Sequence, residues 1–189
     1  TSPVQNEEAI ARFKQELKLT RRLAHPNIIR LYDIGFFGGY RYITMELLVG
    51  QSLHEVLQTP LDVATGLDYL IQACQGLHVA HEAGVIHRDV KPENFFVTTD
   101  GQLKVMDFGI AKQKMGQNFT VIGSIAGTPA YMAPEQINSF STVTAAADIY
   151  SLGIVAYRIF TGVLPFDSEE MVKLLIEAGI KLRGASDHG

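Results

Sequence analysis

The stretch from Ala145 to Phe160 limits the fold most, because it is apolar nearly all round. A helix without a polar face needs neighbours on every side, which predicts a central buried helix. The rest of the chain must supply the elements that surround it. At 189 residues there is enough chain for one large domain or two small lobes. Gly162 is placed to end the helix.

Ile10, Phe13, Leu17 and Ala24 recur at helical spacing and predict a first helix over 6–24. His25-Pro26-Asn27 stops it, since the residue before proline avoids the helical region. Residues 28–37 and 40–47 read as strands joined by Gly38-Gly39. Ser52-Leu53-His54-Glu55 has the spacing of a capping box. A long helix over 61–83 follows, with Leu67, Leu70, Ile71, Cys74, Leu77 and His81 on one face and Gly84 at its end. Cys74 reads there as a small buried hydrophobe, and His54, His78 and His81 as ordinary helix residues. Residues 109–134 have no sustained period and many Gly, Ser and Thr, which predicts a long functional loop. Ser168 begins a last helix through 178, and 184–189 carry no core pattern.

A net charge of −4 argues against a nucleic-acid surface or a polybasic anchor. No apolar run is long enough to cross a bilayer. One cysteine permits no intrachain disulfide and fits a reducing, cytoplasmic setting.

The chemistry concentrates around Asp100-Gly101, a two-residue hairpin turn signal between short strands at 95–97 and 103–105. In that register Phe96 faces Val105 and Asn94 faces Asp107, an amide and a carboxylate about 5 Å apart at the backbone. Both offer hard oxygen ligands of the kind Mg²⁺ takes alongside phosphates and water. Asp89 and Lys91 lie just upstream. A metal pair, a second carboxylate and a lysine in one cleft suit phosphoryl transfer, because cations neutralise the phosphate while the carboxylate orients a hydroxyl.

His87-Arg88-Asp89-Val90-Lys91-Pro92-Glu93-Asn94, Asp107-Phe108-Gly109 and Ala133-Pro134-Glu135 together resemble the catalytic loop, the metal-binding triplet and the segment-closing triplet of eukaryotic-type serine/threonine protein kinases. Gly127-Thr128-Pro129 and Asp148-Ile149-Tyr150-Ser151-Leu152-Gly153 look like the bacterial branch. The resemblance implies a bilobal α+β fold. A partial N-lobe of one helix and two strands would cover 1–47. A mostly helical partial C-lobe would cover 48–189, with the hinge near 46–50 and the activation segment at 107–135. It implies transfer of the ATP γ-phosphate to serine or threonine hydroxyls of protein substrates, with Mg²⁺.

The resemblance also assigns roles. Asp89 would accept the hydroxyl proton and Lys91 would touch the transferring phosphate. Asn94 and Asp107 would hold Mg²⁺. Glu16 would pair with a strand lysine, and Met45 sits at the gatekeeper position. The backbone of Glu46 and Leu48 would bind adenine, with Phe96 beneath the ring. His87, Phe108, Glu135 and Asp148 would be structural. Ser124 or Thr120 would be phosphorylated, in trans by a second copy, and Arg88 would pair with the phosphate. Thr128 marks the serine/threonine class.

The chain departs from the pattern at its ends. No glycine-rich loop or strand lysine precedes Glu16, and the C-terminal helices that usually pair with Glu135 are absent. The expectation is a catalytic domain cut at both ends, weakly active or inactive by itself. The competing reading is a catalytically silent interaction module with the same fold.

Overall fold

The computed structural model describes residues 21–37, 40–108, 129–138 and 143–166. The expected first helix lies outside these residues up to position 20, as do the Gly38-Gly39 turn, most of the loop at 109–134 and the helix expected from Ser168.

Strands β1 (Leu31–Phe37) and β2 (Tyr40–Met45) form an antiparallel pair, with an irregularity between Leu31 and Asp33. A second sheet has the order β3 (Gly50–Ser52), β4 (Phe95–Thr98), β5 (Leu103–Val105), all antiparallel. The segment between the sheets follows β5, since Ile29 N–H donates to Val105 O at 3.0 Å and Val105 N–H donates to Asn27 O at 2.8 Å. Asn27 is buried and its side-chain amide donates to Leu103 O and Gln72 Oε1, both at 2.8 Å. A buried amide with both side-chain N–H groups engaged fixes this crossing.

Helix α1 (Leu53–Val56) opens on the expected capping box. Ser52 Oγ accepts from Glu55 N–H at 3.2 Å, and Glu55 Oε2 accepts from Ser52 N–H at 2.8 Å. Helix α2 (Val63–Glu82) is capped by Asp62, which accepts from Thr65 N–H at 3.0 Å. Its buried face is Gly66, Ala73, Gly76, Leu77 and Ala80. Leu67, Ile71 and Cys74, expected inside, are exposed. Small residues on the inner face let α2 approach the backbone of 27–30 and β5, and this turns the larger side chains outward. Two shorter elements, a 3₁₀ turn Pro129–Tyr131 and helix α3 (Pro134–Asn138), precede helix α4 (Ala145–Thr161).

Helix α4 lies against α2 but is not enclosed all round. Ile149, Tyr157 and Phe160 are 57%, 46% and 49% exposed along one side of it, although the Phe160 ring lies against Gly66 of α2. The rest of the helix buries Ala147, Asp148, Leu152, Val155 and Ile159. Gly162 ends it at φ +77°, as its position in the sequence predicts.

The β4–β5 register corrects the sequence reading by one residue. Phe95, not Phe96, faces Val105, and Phe96 faces Lys104. The loop has three residues instead of two. Thr98 N–H donates to Gln102 O, and Gly101 N–H donates to Thr98 O, both at 2.9 Å, with Gly101 at φ +83°. A turn closed by a left-handed glycine is the usual three-residue hairpin loop. The Thr98 hydroxyl, bonded to both the carbonyl and the amide of Gln102, fixes it further. Since a one-residue slip exchanges sheet faces, the core side is Phe95, Val97, Leu103 and Val105. Phe96 and Lys104 stand together on the other side.

Candidate active site

The loop from His87 to Asn94 is held from three sides. Asp148, 1% exposed in the first turn of α4, accepts the N–H of His87 at 2.8 Å and of Arg88 at 2.7 Å. His81 Nε2 lies 2.7 Å from Oδ2 of the same carboxylate. Buried carboxylates need such partners, and the helix N-terminus adds a favourable field. Arg88 takes φ +64°, a left-handed conformation uncommon outside glycine, and the two fixed amides hold the chain there. Gln136 Nε2 donates to Arg88 O at 2.8 Å from α3.

His87 is fully buried. Its Nε2 lies 2.7 Å from Met106 O, and its Nδ1 accepts Asp89 N–H at 3.2 Å. The pattern requires the neutral tautomer with the proton on Nε2. Burial pushes the imidazole below its usual pKa, against the pull of Asp148. The ring packs on buried Phe108 with centroids 4.8 Å apart. His87 thereby ties the loop to the residues either side of Asp107.

Asp89, Lys91 and Asn94 converge. Asn94 Nδ2 donates to Asp89 O at 2.7 Å and to Asp89 Oδ2 at 3.1 Å, and Lys91 Nζ lies 3.3 Å from the same Oδ2. Met106 N–H donates to Asn94 O at 2.8 Å, so Asp107 begins one residue beyond the hairpin ladder. Asp107 is exposed at φ +49°. Asparagine and aspartate tolerate that conformation better than most side chains. With its amide nitrogen committed to Asp89, Asn94 has Oδ1 left as an acceptor. The Asp107 carboxylate has no hydrogen bond or ion pair among the described residues. An amide oxygen and a carboxylate are donors of the kind that fit Mg²⁺ bound together with phosphate oxygens.

At the other side of β5, Glu46 N–H donates to Arg30 O at 3.0 Å, and Arg30 N–H donates to Glu46 Oε1 at 2.9 Å. Lys104 Nζ meets the same Oε1 at 2.9 Å. Burial works to raise the Glu46 pKa, but the Lys104 and Arg30 hydrogen bonds and charges outweigh it and hold the group below its usual value. The Glu46 carbonyl and the Leu48 N–H have no hydrogen-bond partner among the described residues. Met45 pairs with Leu31 and is partly exposed, and Phe96 is half-buried. Glu135 is exposed in α3. Glu16, Thr120, Ser124 and Thr128 lie outside the described residues.

Sequence reading missed several members of this network. Gln136 and Lys104 were not singled out. Lys104 had a signal, a charge between two core residues of a short strand. His81 also had one, a titratable side chain on the apolar face of its helix. Tyr131 OH accepts from Arg158 Nη1 at 2.6 Å, a bond between distant segments with no signal in the sequence.

Two small antiparallel sheets, helices packed on the second of them, and a constrained loop that gathers Asp89, Lys91 and Asn94 against the strand leading into Asp107 define a protein-kinase-like α+β fold. The chain belongs to the protein kinase domain family, which matches residues 2–183. It is 36% identical over 175 residues to a probable serine/threonine-protein kinase of Clostridium acetobutylicum, covering 92% of this chain and 26% of that protein. It is 38% identical over 173 residues to the probable serine/threonine-protein kinase pknA2 of Bifidobacterium longum, covering 90% and 23%. It is also 40% identical over 186 residues to the tyrosine-protein kinase MasK of Myxococcus xanthus, covering 90% and 28%. The chain thus spans about a quarter of the length of these relatives. Among the described residues, no helix is long and apolar enough to cross a membrane.

Proposed function

We propose that the protein transfers the γ-phosphate of ATP to serine or threonine hydroxyls of protein substrates, in the cytoplasm. The observation that carries the proposal is the Asn94 amide, which donates to the Asp89 carboxylate while the Asn94 backbone holds the strand leading into Asp107. Asp89 accepts the proton of the attacking hydroxyl, at the oxygen that Asn94 and Lys91 now face. Lys91, 3.3 Å from that oxygen, is close enough to move between the carboxylate and a transferring phosphate. Magnesium, if held by Asn94 Oδ1 and the Asp107 carboxylate, would neutralise charge on the phosphates. The Glu46 carbonyl and Leu48 N–H offer the acceptor and donor that an adenine edge requires, and Phe96 offers an apolar surface beneath it. Serine/threonine specificity is supported by Lys91 two residues after Asp89 and by the names of most relatives. Phosphorylation at Ser124 or Thr120 by a second copy, with Arg88 as the phosphate partner, is the activating event in this reading.

The test is transfer of labelled γ-phosphate by the full-length protein to peptides that differ only in a serine, threonine or tyrosine acceptor. Label on the serine or threonine peptide and not on tyrosine is the expected result. Label on tyrosine alone, or nucleotide binding without transfer, contradicts it.

A further inference from the structure

Glu46 joins three segments through one carboxylate. It begins the hinge, its Oε1 accepts the Arg30 amide at 2.9 Å, and the same atom meets Lys104 Nζ at 2.9 Å on β5. Lys104 is 9% exposed, and its strand neighbours Leu103 and Val105 are wholly buried in the core. Its position opposite Phe96 puts it on the half-buried face of the sheet. The far end of the hinge is fixed as well, since Thr99 N–H donates to Val49 O at 3.0 Å. Between these two anchors the chain at Leu47 is almost fully exposed, at 92%. A nearly buried ion pair is poor evidence for stability, because an apolar pair of similar volume often serves as well or better. What it supplies is direction, since a charged hydrogen bond fixes where its partners stand.

We propose that the Glu46–Lys104 ion pair is a latch that sets the hinge over the nucleotide, making Lys104 a positioning residue for ATP. This rests on reading the hinge backbone as the adenine site. Lys104 acts through Glu46. With the latch broken, the hinge visits other geometries, and nucleotide binds only the fraction of molecules that hold the right one. If that fraction falls to about a tenth, apparent affinity falls about tenfold.

The experiment measures Mg·ATP affinity by calorimetric titration, and peptide KM by steady-state assay, on the full-length protein. Lys104→Met is expected to weaken Mg·ATP binding about tenfold and leave peptide KM unchanged. Lys104→Arg is expected to restore most of the affinity. Glu46→Gln keeps an acceptor for the Arg30 amide but loses the charge, so it serves should Lys104→Met fail to fold. It is expected to weaken nucleotide binding, with no further loss in the double variant. Unchanged nucleotide affinity in both single variants, or equal losses for nucleotide and peptide, overturns the latch. A wild-type protein that binds no Mg·ATP overturns the hinge reading beneath it.

Discussion

The Asp148 carboxylate accepts the backbone N–H of Arg88 at 2.7 Å, across 60 positions of sequence. Through this contact, helix α4 sets the conformation of the loop that carries Asp89. In Asp148→Asn one acceptor oxygen becomes a donor that faces other donors. Breaking a buried charged network of this kind costs about 3–5 kcal/mol. Urea unfolding is expected to show a loss of that size, together with loss of phosphoryl transfer. A loss below about 1 kcal/mol, within the range of ordinary substitutions, contradicts the role.

Asp107 calls for the opposite outcome. It is exposed, and asparagine accepts a left-handed backbone as readily. Asp107→Asn is expected to unfold within about 0.5 kcal/mol of the wild type. Removing a charge that would support Mg²⁺ at the phosphates should lower kcat by about 10²–10³. Thermal unfolding and a peptide assay on the same preparation check both halves.

Gly76 tests the packing that places β5. A methyl added there would sit 2.6 Å from Asn27 O and 2.8 Å from Val105 Cγ2. Alanine gains about 1 kcal/mol in helix propensity, but forcing a core apart costs about 1–3 kcal/mol, and here one obstacle is backbone. Gly76→Ala is therefore expected to destabilise, as read by denaturant midpoint. Gly66 is the comparison, because a methyl added there meets only side-chain atoms, Ile159 Cγ2 at 2.7 Å and the Phe160 ring at 3.3 Å, and no backbone.

His87 predicts a pH dependence. Its folded pKa lies below the ordinary value of 6.5, mainly through burial. Above that value the imidazole is neutral in both states and its contribution to stability is complete. As pH falls below it, the unfolded chain takes up a proton that the folded one refuses. Stability should therefore drop by up to about 1.4 kcal/mol per pH unit until the folded pKa is reached. Urea unfolding between pH 7 and 5 checks the sign, and stability that rises toward pH 5 contradicts it.

The local signals were legible in the sequence. The capping box at Ser52, the stop at Gly162 and the grouping of Asp89, Lys91 and Asn94 follow from residues within a few positions of one another. The failures were tertiary. The hairpin register turned on the Thr98 hydroxyl, which goes with a three-residue loop and puts Phe95 opposite Val105 and Phe96 opposite Lys104. The inner face of α2 turned on glycines and alanines, which carry little hydrophobic signal but allow close backbone contact, so Leu67, Ile71 and Cys74 point outward. Helix α4 reads as buried all round, yet Ile149, Tyr157 and Phe160 are about half exposed or more. The ties of His81 to Asp148, Gln136 to Arg88 and Lys104 to Glu46 join residues 48 to 67 positions apart, beyond any local pattern.

The most direct test replaces one carboxylate. Asp89→Asn in the full-length protein keeps side-chain size and removes the proton acceptor. The rate of phosphate transfer to a serine peptide at saturating Mg·ATP is expected to fall by about 10²–10⁴. Nucleotide affinity should stay at the wild-type value. A variant that transfers phosphate as fast as the wild type would show that the loop between His87 and Asn94 does not carry the chemistry.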